Sequence, residues 1–133
     1  MGGLWLIFIG MFLVVVNADT SVHDAVEEYF LRYSSGGFPV GTHRTLEGLL
    51  SLSMVQHCPR EERAHRRVRE IMRHIDEQLT ISPEATVSEA LHKMVAANLG
   101  RLLVTEHGQL RGLITRSGIL RFIQMKTQLD ATA

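Results

Sequence analysis

The sequence has one cysteine, Cys58, among 133 residues. A lone cysteine excludes an internal disulfide framework and any zinc or iron–sulfur site built from several cysteines of one chain. An excess of charge is also missing, because 14 Lys and Arg balance 14 Asp and Glu. Proteins that bind nucleic acid carry a basic excess, so no nucleic-acid partner is expected.

The histidines lack the spacing of a catalytic zinc site. Such a site on one helix needs His-Glu-x-x-His, which places two histidines on one face with a Glu between them. The motif is absent, and His57, His65 and His74 are separated by eight and nine residues. We therefore expect no metal and no catalytic residue, and the chain by itself is not predicted to be an enzyme.

Long apolar runs are missing except at the N-terminus, where residues 4–16 contain no strongly polar side chain. This run is shorter than the roughly 20 residues that span a bilayer. A secretory signal cleaved after Ala18 is one interpretation, although no Lys or Arg precedes the run. A buried segment of a soluble domain is a second. We favour a third, a membrane or interfacial segment over residues 1–16 with Trp5 at the interface.

The rest of the sequence contains an internal repeat. Three segments recur in the same order at a shift of 64 or 65: residues 20–26, 38–40 and 46–51 match 85–91, 102–104 and 110–115. Apolar residues at helical spacing predict a buried helix face in the second copy, at Val87, Ala90, Leu91, Met94 and Val95. A hairpin and a last helix follow it. Each copy is thus predicted to be strand, helix, strand, strand, helix.

This order of motifs resembles tandem CBS domains, the pair known as a Bateman module. The resemblance rests on the Thr86-Val-x-Glu-Ala-Leu helix start, the Phe38-Pro-Val and Leu102-Leu-Val strands, and residues 112–120, which are similar to the family's Gly-x-x-Thr-x-x-Asp motif. Residues 68–72 resemble the segment that leads into a repeat. The resemblance covers about residues 16–125 and implies an α+β fold of two β-α-β-β-α repeats, preceded by the short apolar helix.

The predicted boundaries follow from these segments. They are an apolar membrane or interfacial segment at 1–16, the first repeat at 17–57, an Arg-rich linker and lead-in helix at 58–74, the second repeat at 75–127, and a tail at 128–133. The linker holds six arginines between residues 60 and 73. It is interpreted either as a solvated helix with pairs such as Glu62 with Arg66, or as a surface for anionic lipid. Both place the repeats on the cytoplasmic side.

Residues 2–13 resemble the stretch that joins the membrane core of site-two-type zinc metalloproteases to their C-terminal CBS pair. The resemblance implies a non-catalytic regulatory tail, attached to a membrane metalloprotease domain and paired into a homodimer. The alternative is a separate CBS scaffold or interaction protein that has lost ligand binding.

The family resemblance also implies a ligand, AMP, ATP or a related adenosyl compound, although no cofactor is required. The matching positions of the second repeat are Thr80, Ile81, Ser82, Pro83, Arg101, Leu102, Thr115, Arg116 and Ser117. The family's ribose-binding aspartate is replaced by Gly118, and by Met54 in the first repeat, which weakens the expected binding. In a purely structural interpretation, Thr115 and Ser117 cap the last helix, and Arg101 and Arg116 are solvated.

Overall fold

The computed structural model describes residues 14–42 and 45–131. These residues form two compact units, 14–75 and 76–131. Most of the predicted apolar segment at 1–16 lies outside the described residues. Among the residues described, no helix has the length and apolar character needed to cross a bilayer.

The first unit begins with a helix, α1, over residues 22–33. Its three consecutive parts are α-helical at Val22–Ala25, π-helical at Val26–Phe30 and α-helical at Leu31–Tyr33. The Ser21 side chain caps the start by accepting a hydrogen bond from the backbone N–H of Asp24 at 3.1 Å. The helix ends at Ser34, whose left-handed backbone (φ 51°) stops the α-helical pattern.

A hairpin follows α1 and forms the sheet of the first unit. Its strands are β1 (Gly37–Gly41) and β2 (Leu46–Ser51), which pair antiparallel. On the other edge of β1, the backbone N–H of Val16 donates to the carbonyl of Pro39 at 2.9 Å. Val16 is fully buried. The structure therefore corrects the assignment of Val16 to a membrane segment, because its backbone bonds and burial make it part of this sheet and core.

The segment that leads into the second repeat packs on the first unit. After α2 (Leu52–Gln56) and a 3-10 turn at Arg60–Glu62, the short helix α3 (Val68–Ile71) leads to β3 (Arg73–His74). Strand β3 pairs antiparallel with β2, so the sheet order is β1-β2-β3. Val68 and Met72 are buried in the core of the first unit.

The second unit repeats the arrangement of the first. Its elements are β4 (Thr80–Ile81), α4 (Val87–Ala97), β5 (Arg101–Glu106), β6 (Gln109–Thr115) and α5 (Arg116–Ala131). Strand β4 runs parallel to β5, and β6 runs antiparallel to β5. Helix α5 continues through residues 128–131, which were predicted to belong to a tail.

Local sequence explains the ends of these elements. Thr86 caps α4 by accepting a bond from the N–H of Glu89 at 3.1 Å, and Asn98 ends it in a left-handed conformation (φ 54°). His107 and Gly108, both with positive φ, form the tight turn between β5 and β6. The predicted buried face of α4 is wrong at Val95, which is 71% exposed, because the helix turns this position away from the sheet.

The registers of the two hairpins show the duplication directly. Val40 pairs with Gly48 in the first unit and Val104 pairs with Gly112 in the second, and each hairpin has an irregularity one residue later. Val16 lies parallel to Val40, as Ile81 lies parallel to Val104. The expected α+β fold of two β-α-β-β-α repeats is confirmed.

Candidate ligand-binding site

Four of the predicted ligand-binding residues meet where β5 begins and β6 ends. Arg101 lies directly opposite Thr115 in the antiparallel register, so the two side chains share one face of the sheet. The backbone N–H of Arg116 donates to the carbonyl of Gly100 at 2.9 Å. The hydroxyls of Thr115 and Ser117 are 3.3 Å apart. We call Arg101, Thr115, Arg116 and Ser117 the Arg101 cluster.

The buried members of the predicted set face the other side of the sheet. Leu102 and Ile81, 0% and 7% exposed, belong to the core beneath α4 together with Val104 and Ile114. Because side chains alternate along a strand, this leaves Arg101 and Thr115 on the face away from that core. The side chains of Leu102 and Ile81 therefore pack the core.

Strand β4 contributes only its first residue to the neighbourhood of the cluster. Thr80 pairs with Leu103, two residues along β5 from Arg101, which corresponds to about 7 Å along the strand. Since β4 runs in the same direction as β5, Ser82 and Pro83 follow at the end of the sheet away from Arg101. The Ser82 hydroxyl accepts a bond from the N–H of Glu84 at 3.2 Å, and Pro83 is buried.

The cluster has a positive charge that no acidic side chain of the described residues neutralises. Within residues 14–42 and 45–131, neither Arg101 nor Arg116 forms an ion pair. Arg101 is half-buried, and desolvation by burial lowers the pKa of its guanidinium below the ordinary value. Arg116 and Ser117 are exposed. The arrangement suits an anion with several hydrogen-bond acceptors.

The hydroxyl of Thr115 also caps helix α5. The backbone N–H of Gly118, in the first turn of α5, donates to Thr115 Oγ1 at 2.9 Å. This is the bond expected of a residue that caps a helix. Gly118 stands where the family resemblance expects an aspartate, and the carboxylate that would bind a ribose is therefore missing.

A lysine that the sequence interpretation did not select lies beside β4. The ammonium of Lys93, on α4, donates to the backbone carbonyl of Thr80. The two residues are thirteen positions apart and meet only because α4 packs over the sheet. No local sequence pattern signals this contact.

The first unit contains a cavity of about 440 Å³ between the end of α2 and α3. His57, Cys58 and Arg66 line part of it, and Cys58 is buried in the core. The Nδ1 of His57 lies 2.7 Å from the carbonyl of Ser53. In the described part of the chain, no three His, Cys, Asp or Glu side chains are grouped as metal ligands.

The Arg-rich linker is paired with carboxylates. Arg66 lies 3.6 Å from Glu62, as predicted, and 3.1 Å from Glu70. Arg69 contacts Glu47 at 2.7 Å and Asp19 at 3.3 Å. The hydrogen bonds that the Arg69 guanidinium donates to these carboxylates, first to Glu47 and then to Asp19, raise the pKa of Arg69 above its ordinary value. These pairs tie the lead-in segment to the first unit.

Comparison with known proteins agrees with this geometry. Residues 68–125 match the family model of the CBS domain. The fold is similar to the crystal structure of the CBS domain NE2398, with a TM-score of 0.81 and 17% identity over 92% of this chain and 98% of that one. It is also similar to CBSX2 in complex with AMP, with a TM-score of 0.72 and 22% identity over 85% of this chain and 89% of that one.

The chain is also similar in sequence to the zinc metalloprotease MJ0392 of Methanocaldococcus jannaschii. Identity is 25% over 119 residues, which are 87% of this chain and 32% of that protein. The chain thus spans about a third of the length of this relative. These matches define the class: residues 68–125 match the CBS-domain family model, and the fold of the two repeats is similar to that of solved CBS-domain structures.

Proposed function

We propose that this chain is a non-catalytic regulatory module whose second repeat binds an adenine nucleotide, AMP, ATP or a related adenosyl compound. The observation that carries the proposal is the Arg101 cluster, where a half-buried guanidinium lies opposite a threonine hydroxyl and has no carboxylate partner in the described part of the chain. Guanidinium and hydroxyl donors suit phosphate oxygens. The AMP complex of a protein with a similar fold supports the choice of ligand.

The proposed binding is weak. A ribose needs an acceptor for its hydroxyl groups, and Gly118 provides no side chain for this purpose. A polar group left without its partner costs about 1–3 kcal/mol, or roughly one to two decades of affinity. The ligand therefore acts at the high concentrations at which cellular nucleotides occur.

The proposal includes a partner for the module. The module is placed on the cytoplasmic side of a membrane metalloprotease domain, and the sequence similarity to a zinc metalloprotease about three times as long supports the link to a metalloprotease. Exposed apolar side chains of α5, including Leu120 and Leu129, provide a surface on which two copies could pair. A ligand regulates such an assembly when it prefers one arrangement of the module over another.

Isothermal titration with AMP, ATP and S-adenosylmethionine tests the binding. We expect saturable heat for at least one of them, which is lost in Thr115→Ala and retained in the matched variant Thr115→Ser. Thr115→Ser keeps both the cap and the hydroxyl, so a loss in Thr115→Ala that is accompanied by intact circular dichroism reports on the ligand. Saturable binding that Thr115→Ala leaves unchanged would place the ligand elsewhere.

A second candidate function is a scaffold that pairs without a ligand. It is favoured by the bond from Gly118 to Thr115, which explains the Thr115 hydroxyl by capping alone. This candidate predicts no heat with any of the three compounds at millimolar concentration, together with a dimer in sedimentation velocity. A monomer that binds nucleotide contradicts it.

A further inference from the structure

We infer that the Arg101 cluster selects its ligand by the phosphate groups and not by the sugar, so that bare pyrophosphate binds and a nucleoside without phosphate does not. This inference rests on the proposed function, since it takes the same cluster to be the ligand site. It narrows the class of ligand to compounds with a free phosphate or diphosphate end.

The positive charge of the Arg101 cluster favours an anionic ligand. Arg101 lies opposite Thr115, the last residue of β6, and Arg116 follows Thr115 in the chain. No acidic side chain of the described residues forms an ion pair with either arginine. Elsewhere in the same hairpin, Arg111 is neutralised by Glu106 at 3.2 Å. A half-buried guanidinium normally has a carboxylate or phosphate partner, because burial without one is unfavourable. An anionic ligand supplies the missing charge at Arg101.

The side chains of the Arg101 cluster provide more hydrogen-bond donors than acceptors. One hydroxyl hydrogen is used between Thr115 and Ser117, and the N–H of Gly118 already donates to Thr115 Oγ1. One O–H of the two hydroxyls remains as a donor, and the two guanidinium groups of the cluster only donate. Phosphate oxygens accept from all of them. A ribose diol also donates, and for its O–H groups the side chains of the cluster provide hydroxyl oxygens but no carboxylate.

Titration of the whole chain with pyrophosphate, ATP, AMP and adenosine, at constant ionic strength, tests the inference. We expect pyrophosphate and ATP to bind within a few-fold of each other and adenosine to give no saturable heat. Arg101→Gln should weaken pyrophosphate binding about tenfold or more, since it removes a charge-assisted bond. Arg111→Gln is the matched control. It removes the same charge from the same hairpin at a paired position and should change the affinity less than threefold.

The outcomes separate this inference from the proposed function. Adenosine binding as tightly as ATP overturns the inference and leaves a nucleotide-binding module. Binding of pyrophosphate without ATP or AMP supports the inference and overturns the adenine nucleotide as ligand. Equal weakening in Arg101→Gln and Arg111→Gln overturns the inference, because only the net charge then matters. If none of the compounds binds, both proposals fail. A thermal melt of each variant establishes that it is folded.

Discussion

The backbone N–H of Gly118 donates a hydrogen bond to Thr115 Oγ1 at 2.9 Å. In the first repeat, the backbone N–H of Met54 donates to Ser51 Oγ in the same way, at 3.4 Å. Each hydroxyl belongs to the last residue of the second strand of a hairpin, directly before a helix. The cap is thus a property of both repeats and does not depend on a ligand. Any role of Thr115 in binding has to be separated from its role in folding.

Thr115→Ala should lower the free energy of unfolding by about 1 kcal/mol, because the N–H of Gly118 loses its acceptor. Thr115→Ser keeps an acceptor and should remain within about 0.5 kcal/mol of the wild type. Urea unfolding followed by circular dichroism measures both. Equal stability of Thr115→Ala and the wild type would show that the 2.9 Å bond contributes nothing to folding.

Sequence patterns predicted most of the second repeat because its signals are local. Helix α4 has a capping Thr86 and a left-handed Asn98 at its ends, and the hairpin has His107-Gly108 at its turn. Val95 was assigned to the buried face because helical spacing does not show how wide that face is. Its 71% exposure depends on how α4 lies on the sheet.

The sequence predicted the candidate site only in part, because tertiary contacts decide the rest. The repeat and the family motif identify Arg101 and Thr115, and the β5–β6 register brings them together. The burial of Arg101 and the bond from Lys93 to Thr80 depend on packing between elements far apart in sequence. The pairing of β3 with the first repeat likewise accompanies burial of Val68 and Met72 in its core. The Arg-rich composition of the linker predicted a solvated segment and did not indicate this burial.

Gly118→Asp should shift the selectivity of the site toward the sugar. A Cβ at this position comes 2.9 Å from Thr115 Oγ1, so the Thr115 side chain must move slightly. The new carboxylate would accept bonds from a ribose diol and partly neutralise the two arginines. We expect adenosine binding to become measurable, with pyrophosphate affinity reduced about tenfold. Titration with adenosine and with pyrophosphate, with Gly118→Ala as the control, measures the two affinities. An unchanged ratio of affinities contradicts this placement of the carboxylate.

Gly48→Ala should detach the lead-in strand from the first repeat. A Cβ at Gly48 comes 2.2 Å from the carbonyl oxygen of Arg73, so β2 and β3 cannot both keep their positions. The expected loss is about 2 kcal/mol, as for other overpacked sites. At Gly100 no described atom beyond the two neighbouring residues lies within 4 Å of the added Cβ, and Gly100→Ala should be nearly neutral. Amide hydrogen exchange should show lost protection at Ile75, whose N–H donates to the carbonyl of Glu47, in Gly48→Ala alone. Similar exchange in both variants would count against the observed pairing.

Glu70 should make stability depend on pH in the acid range. The backbone N–H of Arg67 donates to its carboxylate at 2.7 Å, and this bond lowers the pKa of Glu70 from the ordinary value of 4.5. A carboxyl group whose pKa is lowered in the folded state stabilises the fold at any pH above its ordinary pKa. This contribution is lost as the pH falls through the pKa of the folded state. The wild type should therefore exceed Glu70→Gln in stability at neutral pH, and the two should converge as the pH falls through the lowered pKa of Glu70 in the folded state. Urea unfolding across this range measures the difference, and a difference that grows toward acid pH has the wrong sign.

Val16→Ala tests whether the end of the apolar N-terminal run belongs to the first repeat. Val16 is fully buried, and its backbone exchanges hydrogen bonds with Pro39 and Gly41. Loss of two buried methyl groups, with the cavity that remains, should cost about 2 kcal/mol. Val95→Ala makes the same chemical change at a 71% exposed position and should cost less than about 0.5 kcal/mol. Equal costs would place Val16 outside the core. A larger cost at Val16 means that cleavage after Ala18 would remove a packed residue from the sheet, which counts against a secretory signal ending there.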